Sequence, residues 1–445
     1  MFTVSTPQDA DVSLYLHAEL LPNIRQITLY VSLPQTPALE GIRPQIQFSE
    51  SCKSVAVSLS EPFHHVVETI KLPARVTDAT RRTLNISNTA ASNHKKPTSP
   101  GYEYSVRMHI DPSDPVLVPC DELIDDYVPW TAADMSSSTR IRCRGCGTAF
   151  LKESGPHTVD DQSLLPGWLW KDLPSRNWAE MMDFWHCHKP DPREDNPKYE
   201  ATAALKLEDQ TAQIKGYGAS SRVEAIPGTV LIDVATFLVS DEDCVSLKKG
   251  NEEEAQTSTS KGSFERTLDC ATCNSIIGME DPSARGWRLL KANVSLNANL
   301  SISEADRDEW QSHPTQMIVA AQLLELIERE SARRFVVHCG QKSGLLLWVF
   351  NPDLRYSNSS SGHSVNAQQA MKVFFQETRE IDKLLAPEIG NPSPLSLEEL
   401  ELPSMVYEAL FEALRDSNQM LPPTARQFNE WQVGLLSRFS RTQAA

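Results

Sequence analysis

The sequence predicts an α+β protein with an N-terminal β-rich domain, a zinc-stapled central region and a C-terminal region that mixes strands and helices. Apolar and polar residues alternate with period two near the N-terminus, helical periodicity is confined to the middle and the C-terminal third, and two C-x-x-C pairs bracket the centre. The corresponding boundaries are 1–140, 141–290 and 291–445.

Taken in order, Ile27 to Leu33 (ITLYVSL) alternates strictly, and Ser54 to Leu59 (SVAVSL) and Val66 to Leu72 follow in the same style, all rich in β-branched residues. That pattern suits an antiparallel sheet with one wet face. Asn85 to Gly101 (NISNTAASNHKKPTSPG) is polar and turn-rich and reads as a loop; Arg107 to Ile110 resumes a strand. In the middle, Ser175 reads as the N-cap of a helix. Its apolar face is Trp178, Met181, Met182 and Trp185, and it ends at His186-Cys187-His188 before Pro190. Asp191 to Gly228 and Lys248 to Ser263 are polar and low in aromatics, the composition of mobile linkers, and Thr229 to Val239 (TVLIDVATFLV) between them reads as one buried strand. Further on, Met317 to Arg333 is helical, and Phe335 to Val337 and Leu345 to Phe350 are strands joined by a turn over Cys339 to Gly344. Helices are expected at Ala367 to Leu385 and Leu402 to Ser417.

Composition excludes several classes of function. The 445 residues carry 42 Lys plus Arg against 59 Asp plus Glu, a net charge of −17, so direct binding of nucleic acid through its phosphates is not expected. Apolar runs such as Leu345 to Phe350 fall far short of the ~20 residues a membrane helix needs. Met1 to Ala10 has neither the basic nor the apolar part of a secretion signal. A cytoplasmic and nuclear protein without membrane partners is the expectation. Nine cysteines, an odd number in a chain without a secretion signal, favour reduced thiols or metal ligands over disulfides.

Two cysteine pairs stand out. Cys143 and Cys146 (CRGCG) and Cys270 and Cys273 (CATCN) share the spacing that lets two thiolates reach one tetrahedral ion at ~2.3 Å. Gly147 and Asn274, which follow the second cysteines, are the residue types that most easily take positive φ and turn N–H groups toward sulfur. The expected cofactor is structural zinc. Two ligand sets remain open. Either the four cysteines share one ion, or Cys187 and His188 join Cys270 and Cys273 and leave the Arg142 to Thr148 loop free. His186, at a helix C-terminus, needs no ligand role, because a cation there suits the dipole and the last carbonyls. A redox pair needs a helix N-terminus beneath it, and no helix follows either pair.

The segment Leu173 to Asp191 (LPSRNWAEMMDFWHCHKPD), the CRGCG and CATC knuckles beside it and Leu345 to Ser357 (LLLWVFNPDLRYS) together resemble the HECT-like ubiquitin-conjugating-enzyme-binding proteins, a family described as ubiquitin-protein ligases. The resemblance runs by motif order from about Ser13 to Phe439. It implies a ubiquitin-conjugating enzyme, ubiquitin and a cyclin as partners, and promotion of ubiquitin transfer to protein substrates. HECT ligases accept ubiquitin on a cysteine within L-P-x-A-x-T-C-F-N. Laid on that loop, Leu421 to Asn429 (LPPTARQFN) matches at Leu421, Pro422, Phe428 and Asn429, but the nucleophile position is Gln427, whose amide forms no thioester. No cysteine follows Cys339. Cys339 is therefore the candidate nucleophile, although His338 beside it on a strand points to the opposite face.

The resemblance also implies a non-catalytic role, as partner, chaperone or inhibitor of the zinc-dependent endonuclease of pre-mRNA cleavage and polyadenylation. In that reading Arg142, Cys143, Gly145, Cys146 and Gly147 form a partner-binding loop that places a thiolate on the nuclease metal.

Overall fold

The computed structural model describes residues 13–34, 39, 42–89, 102–115, 124–152, 167–173, 223–250, 266–297, 310–340, 342–359, 367–385 and 397–441. They fall into two units. One is drawn from Met1–Leu123, Ala332–His338 and Lys342–Ser440, the other from Ile124–Ser331, Cys339–Gln341 and Arg441–Ala445. The architecture is α+β.

In the first unit β1 (Tyr15–Leu21) and β2 (Gln26–Ser32) form a hairpin, and β3 (Pro44–Phe48), β4 (Ser54–Leu59) and β5 (Val67–Lys71) form a separate antiparallel sheet. The period-two alternation sorts the side chains. Leu16, Ala18 and Leu20 of β1 and Ile27, Leu29 and Val31 of β2 share one core with Ile46, Val55, Val57 and Ile70 of the smaller sheet. Each such side chain contributes roughly 1.5–3 kcal/mol by leaving water. The loop expected from Asn85 is corrected over its first residues, because α1 spans Asp78–Thr89. The Thr77 hydroxyl accepts the Thr80 N–H at 3.2 Å, and Asp78 sits at the positive end of the dipole; this upstream cap outweighs the polar composition that follows. β6 (Glu103–His109) then pairs with β2.

The second unit begins with the short α2 (Ile124–Tyr127). Its sheet is made of β8 (Leu169–Asp172), β9 (Thr229–Ile232), β10 (Thr236–Val239), β11 (Leu247–Lys249), β12 (Thr267–Cys270), β13 (Ile276–Asp281) and β14 (Gly286–Leu290). Among the described residues the order is β11-β12-β13-β14-β10-β9-β8, antiparallel except for the β8–β9 pair. A separate ribbon joins β7 (Arg140–Cys143) to β15 (Val294–Asn297), and α3 spans Thr315–Glu330. The single strand expected over Thr229 to Val239 is instead the β9–β10 hairpin. Asp233 turns the chain: its carboxylate accepts the Val234 N–H at 2.9 Å and its own N–H donates to Thr236 O at 2.9 Å. Both arms are fully buried, which hides the turn inside an apolar run.

Gly278 of β13 lies opposite Leu289 of β14. A Cβ there would lie 2.1 Å from Arg288 O, so Gly278→Ala must push the two backbones apart. Urea unfolding is expected to show a loss of about 1–3 kcal/mol.

The chain then returns to the first unit with β16 (Arg334–His338), β17 (Gly344–Asn358), β18 (Gln368–Thr378), α4 (Ile381–Leu385), β19 (Leu397–Glu401), α5 (Ser404–Met420), β20 (Gln427–Phe428) and β21 (Trp431–Ser437). The helix expected over Ala367 to Leu385 is corrected to β18 followed by the one-turn α4. β18 lies between β17 and β21 and is covered on both faces. Its apolar residues Ala370, Met371, Val373, Phe374 and Phe375 therefore run on without the alternation that marks a half-wet strand. β17 also pairs with β1, His17 opposite Asn358, so N-terminal and C-terminal strands share one sheet. Among the described residues its main path is β20-β21-β18-β17-β1-β2-β6, with β16 and β19 branching from β17. No helix among the described residues is long and apolar enough to cross a membrane.

Candidate metal centre

β7 ends on Cys143 and β12 ends on Cys270, each followed by a tight turn that carries the second cysteine of its pair. The two knuckles repeat one design. Gly147 donates its N–H to Cys143 O at 3.0 Å and Asn274 to Cys270 O at 2.9 Å. Both take positive φ, +78° at Gly147 and 59° at Asn274. Each turn closes a strand-like loop, with Cys143 N–H on Thr148 O at 2.8 Å and Cys270 N–H on Ser275 O at 2.9 Å.

The knuckles face each other. Cys143 Sγ lies 3.6 Å from Cys273 Sγ and Cys146 Sγ lies 3.5 Å from Cys270 Sγ, and all four sulfurs fall within 4.8 Å of one another. Four thiolates at ~2.3 Å from a tetrahedral ion stand ~3.8 Å apart, so the set can hold a metal with little movement. The Thr148 and Thr272 hydroxyls lie 3.0 Å apart, tying one turn to the other.

Cys143 and Cys270 are buried among Ile141, Phe150, Ile277 and Val294 in the core of this unit, while Cys146 and Cys273 face outward. Burial pushes the Cys143 thiol up to about 12, against the pull of the Cys146 and Gly145 N–H groups aimed at its sulfur. Cys273 is drawn down to about 6 by the Ser275 hydroxyl and N–H, and Cys146 is lowered by the same groups of Thr148. Donors to sulfur disperse the negative charge that a four-thiolate site carries. A cation supports the rim, where Lys248 Nζ donates to Asn274 Oδ1 at 2.6 Å.

A further support was invisible to motif reading. Arg144 donates its N–H to Asn293 O at 3.1 Å and its guanidinium to Ala292 O and His313 O, each at 3.0 Å. The Lys291–Asn293 turn that receives it is itself pinned, with Asn293 Nδ2 on Ile276 O at 2.9 Å and Lys291 Nζ on Pro129 O and Trp130 O at 2.8 and 3.1 Å. Lys291 is 0% exposed, and burial lowers its ammonium to about 7 against the attraction of Asp233, Asp172 and Asp134. The one signal for it in the sequence is a lone lysine between Leu290 and Ala292.

The other candidate residues lie elsewhere. Ser175, the Trp178 to Trp185 stripe, Cys187 and His188 are outside the described residues. Arg142, Gly145 and Gly147 flank the four thiols, with the Arg142 guanidinium 3.9 Å from the centre of the Trp310 ring. Cys339 is half-buried just after β16, and His338 Nε2 is engaged by Glu399 Oε1 at 2.8 Å. Gln427 is exposed at the start of β20 and donates to Asn429 O at 2.9 Å.

The family model described as HECT-like ubiquitin-conjugating enzyme (E2)-binding matches residues 19–433. The chain belongs to this family. Among its relatives, an uncharacterized protein of Saccharomyces cerevisiae is 23% identical over 311 residues, covering 69% of this chain and 72% of the yeast protein. An uncharacterized protein of Schizosaccharomyces pombe is 24% identical over 325 residues, covering 71% of this chain and 78% of its own length. An E3 ubiquitin-protein ligase of Mus musculus is 26% identical over 316 residues, covering 66% of this chain and 72% of the mouse protein. No solved structure matches the chain. Both cysteine knuckles lie within the matched residues.

Proposed function

We propose that this protein binds a ubiquitin-conjugating enzyme and promotes transfer of ubiquitin to protein substrates, with structural zinc held by Cys143, Cys146, Cys270 and Cys273. The family match over residues 19–433 carries the reading, and the ligase name of the mouse relative supports it. Four soft thiolates favour zinc. A closed four-sulfur shell leaves no open position, so the metal supplies a cross-link between the β7–β15 ribbon and the larger sheet.

Transfer runs directly from the conjugating enzyme. Gln427 stands at the HECT nucleophile position, and the Cys339 thiol is half-buried where a thioester exchange needs an exposed one. A substrate lysine amine therefore attacks the thioester on the conjugating enzyme itself. The isopeptide C–N bond forms, the C–S bond breaks, and the departing thiolate takes up the proton the amine releases. The convergence of Cys143 and Cys146 on Cys270 and Cys273 gives these thiols work inside the chain, which counts against lending one to a nuclease metal.

A single-turnover discharge assay tests this. A panel of ubiquitin-charged conjugating enzymes is mixed with free lysine, with and without the protein, and resolved on non-reducing gels. The expected result is faster discharge for at least one conjugating enzyme with no reductant-sensitive ubiquitin adduct on this chain. An adduct lost in Cys339→Ser would replace direct transfer with a thioester relay, and discharge unaffected throughout the panel would overturn the reading.

A further inference from the structure

The C-terminal sheet carries a row of aromatic rings whose two end members the fold leaves half in water. Phe350 of β17, Phe374 of β18 and Phe428 of β20 stack in sequence, with centroids 4.9 Å apart at 25° and 5.0 Å apart at 11°. The middle ring is 3% exposed, whereas Phe350 and Phe428 are 49% and 47% exposed. Trp348 meets Phe374 edge-on at 5.3 Å and Trp431 at 6.3 Å. Strand register explains the grouping, since Trp348 is paired with Phe374, Phe374 with Val433 and Phe428 with Trp431.

Fully burying a phenylalanine is worth roughly 1.5–3 kcal/mol, so two left half in water on a rigid sheet are poor for solubility and good for recognition. Their neighbours hold them, so little side-chain entropy is left to lose on docking, and clustered aromatics are the side chains on which binding energy concentrates. The Arg334 guanidinium lies 5.1 Å from the Trp348 ring centre. Exposed Glu430 lies in the turn between Phe428 and Trp431.

We infer that this aromatic row is the docking surface for the conjugating enzyme, which meets it with an apolar loop flanked by basic side chains. The inference rests on the function proposed above. All five rings lie inside the segment matched to a family described as E2-binding, and the net charge of −17, with exposed Glu430 next to Trp431, complements a basic partner surface. Single-stranded nucleic acid also stacks on aromatic rows, but there a cationic groove follows the backbone, and this chain carries a net charge of −17.

The test is titration calorimetry of full-length protein against a conjugating enzyme that it binds, comparing wild type with Phe350→Ala/Phe428→Ala. The half-exposed rings are removable with little change in thermal midpoint, which is checked in parallel. The double variant is expected to bind about 10- to 100-fold more weakly, while Ile24→Ala/Val67→Ala, which trims other exposed apolar side chains, leaves affinity unchanged. Wild-type binding retained by the double variant within twofold would overturn the docking surface and spare the proposed function. Wild-type protein that binds no conjugating enzyme would overturn both. Loss of a self-association seen by light scattering, at unchanged affinity for the conjugating enzyme, would reassign the row to contact between two copies of this chain.

Discussion

Cys270→Ser is expected to release one equivalent of zinc and to unfold the region around the β7–β15 ribbon and the β11–β12 edge. Cys270 is fully buried, contributes to the same core as Phe150 and Val294, and faces Cys146 Sγ at 3.5 Å. Structural zinc in small domains is worth about 10–16 kcal/mol of apparent binding free energy. Only part of that is expressed here, because both strands also pack apolar side chains. A loss of ~4 kcal/mol or more, about a quarter to two-fifths of that figure, is the expected scale. In a unit of this size it lowers the thermal midpoint by roughly 10 °C. Elemental analysis and calorimetry on wild type, Cys270→Ser and Cys143→Ser make the measurement, and a strong chelator should reproduce the variants' behaviour. Full zinc content in Cys143→Ser together with its loss in Cys270→Ser would instead favour the ligand set containing Cys187 and His188.

Lys372→Met is expected to cost about 3–5 kcal/mol, the usual penalty for removing one partner of a buried ion pair. Lys372 Nζ donates to both oxygens of Glu19 at 2.9 and 2.7 Å, and His17 Nε2 lies 3.1 Å from Oε1. Burial by itself would raise the Glu19 carboxyl, but Lys372 and His17 overcome it and hold the group at about 2 against an ordinary 4.5. The folded state thus binds the proton more weakly than the unfolded chain. The resulting stabilisation is complete above pH ~4.5 and is lost as pH falls toward ~2, on the order of 3 kcal/mol in all. Lys372→Met should move this acid limb upward in pH, and adding Glu19→Gln should recover much of the loss because no lone charge is then left buried. Urea unfolding between pH 2 and 7 checks both, and a cost below ~1 kcal/mol for Lys372→Met would show the pair to be solvated.

Much of the local structure was legible in the residues. β2, β4 and β5 fall where period-two alternation puts them, and α3 and α5 where helical periodicity does, because these patterns come from the geometry of neighbouring residues along one element. The reading failed where burial was two-sided. β18 is apolar on both faces and imitates a helix, and the β9–β10 hairpin hides its turn between two fully buried arms. Asn85 was misplaced because the cap that starts α1 lies upstream of the polar stretch.

The sequence by itself determined the ligand chemistry of the centre: four thiols in two pairs, each followed by a residue that accepts positive φ, and a glutamine where a HECT nucleophile would stand. It left open which pairs share an ion, because Cys146 and Cys270 are separated by many elements. Only the tertiary structure put the two knuckles face to face, seated β1 of the N-terminus beside β17 of the C-terminus, and lined up Phe350, Phe374 and Phe428 from three strands. Strand pairing and the meeting of distant turns are decided by the total apolar surface the whole chain can bury, and no local window of residues contains that quantity.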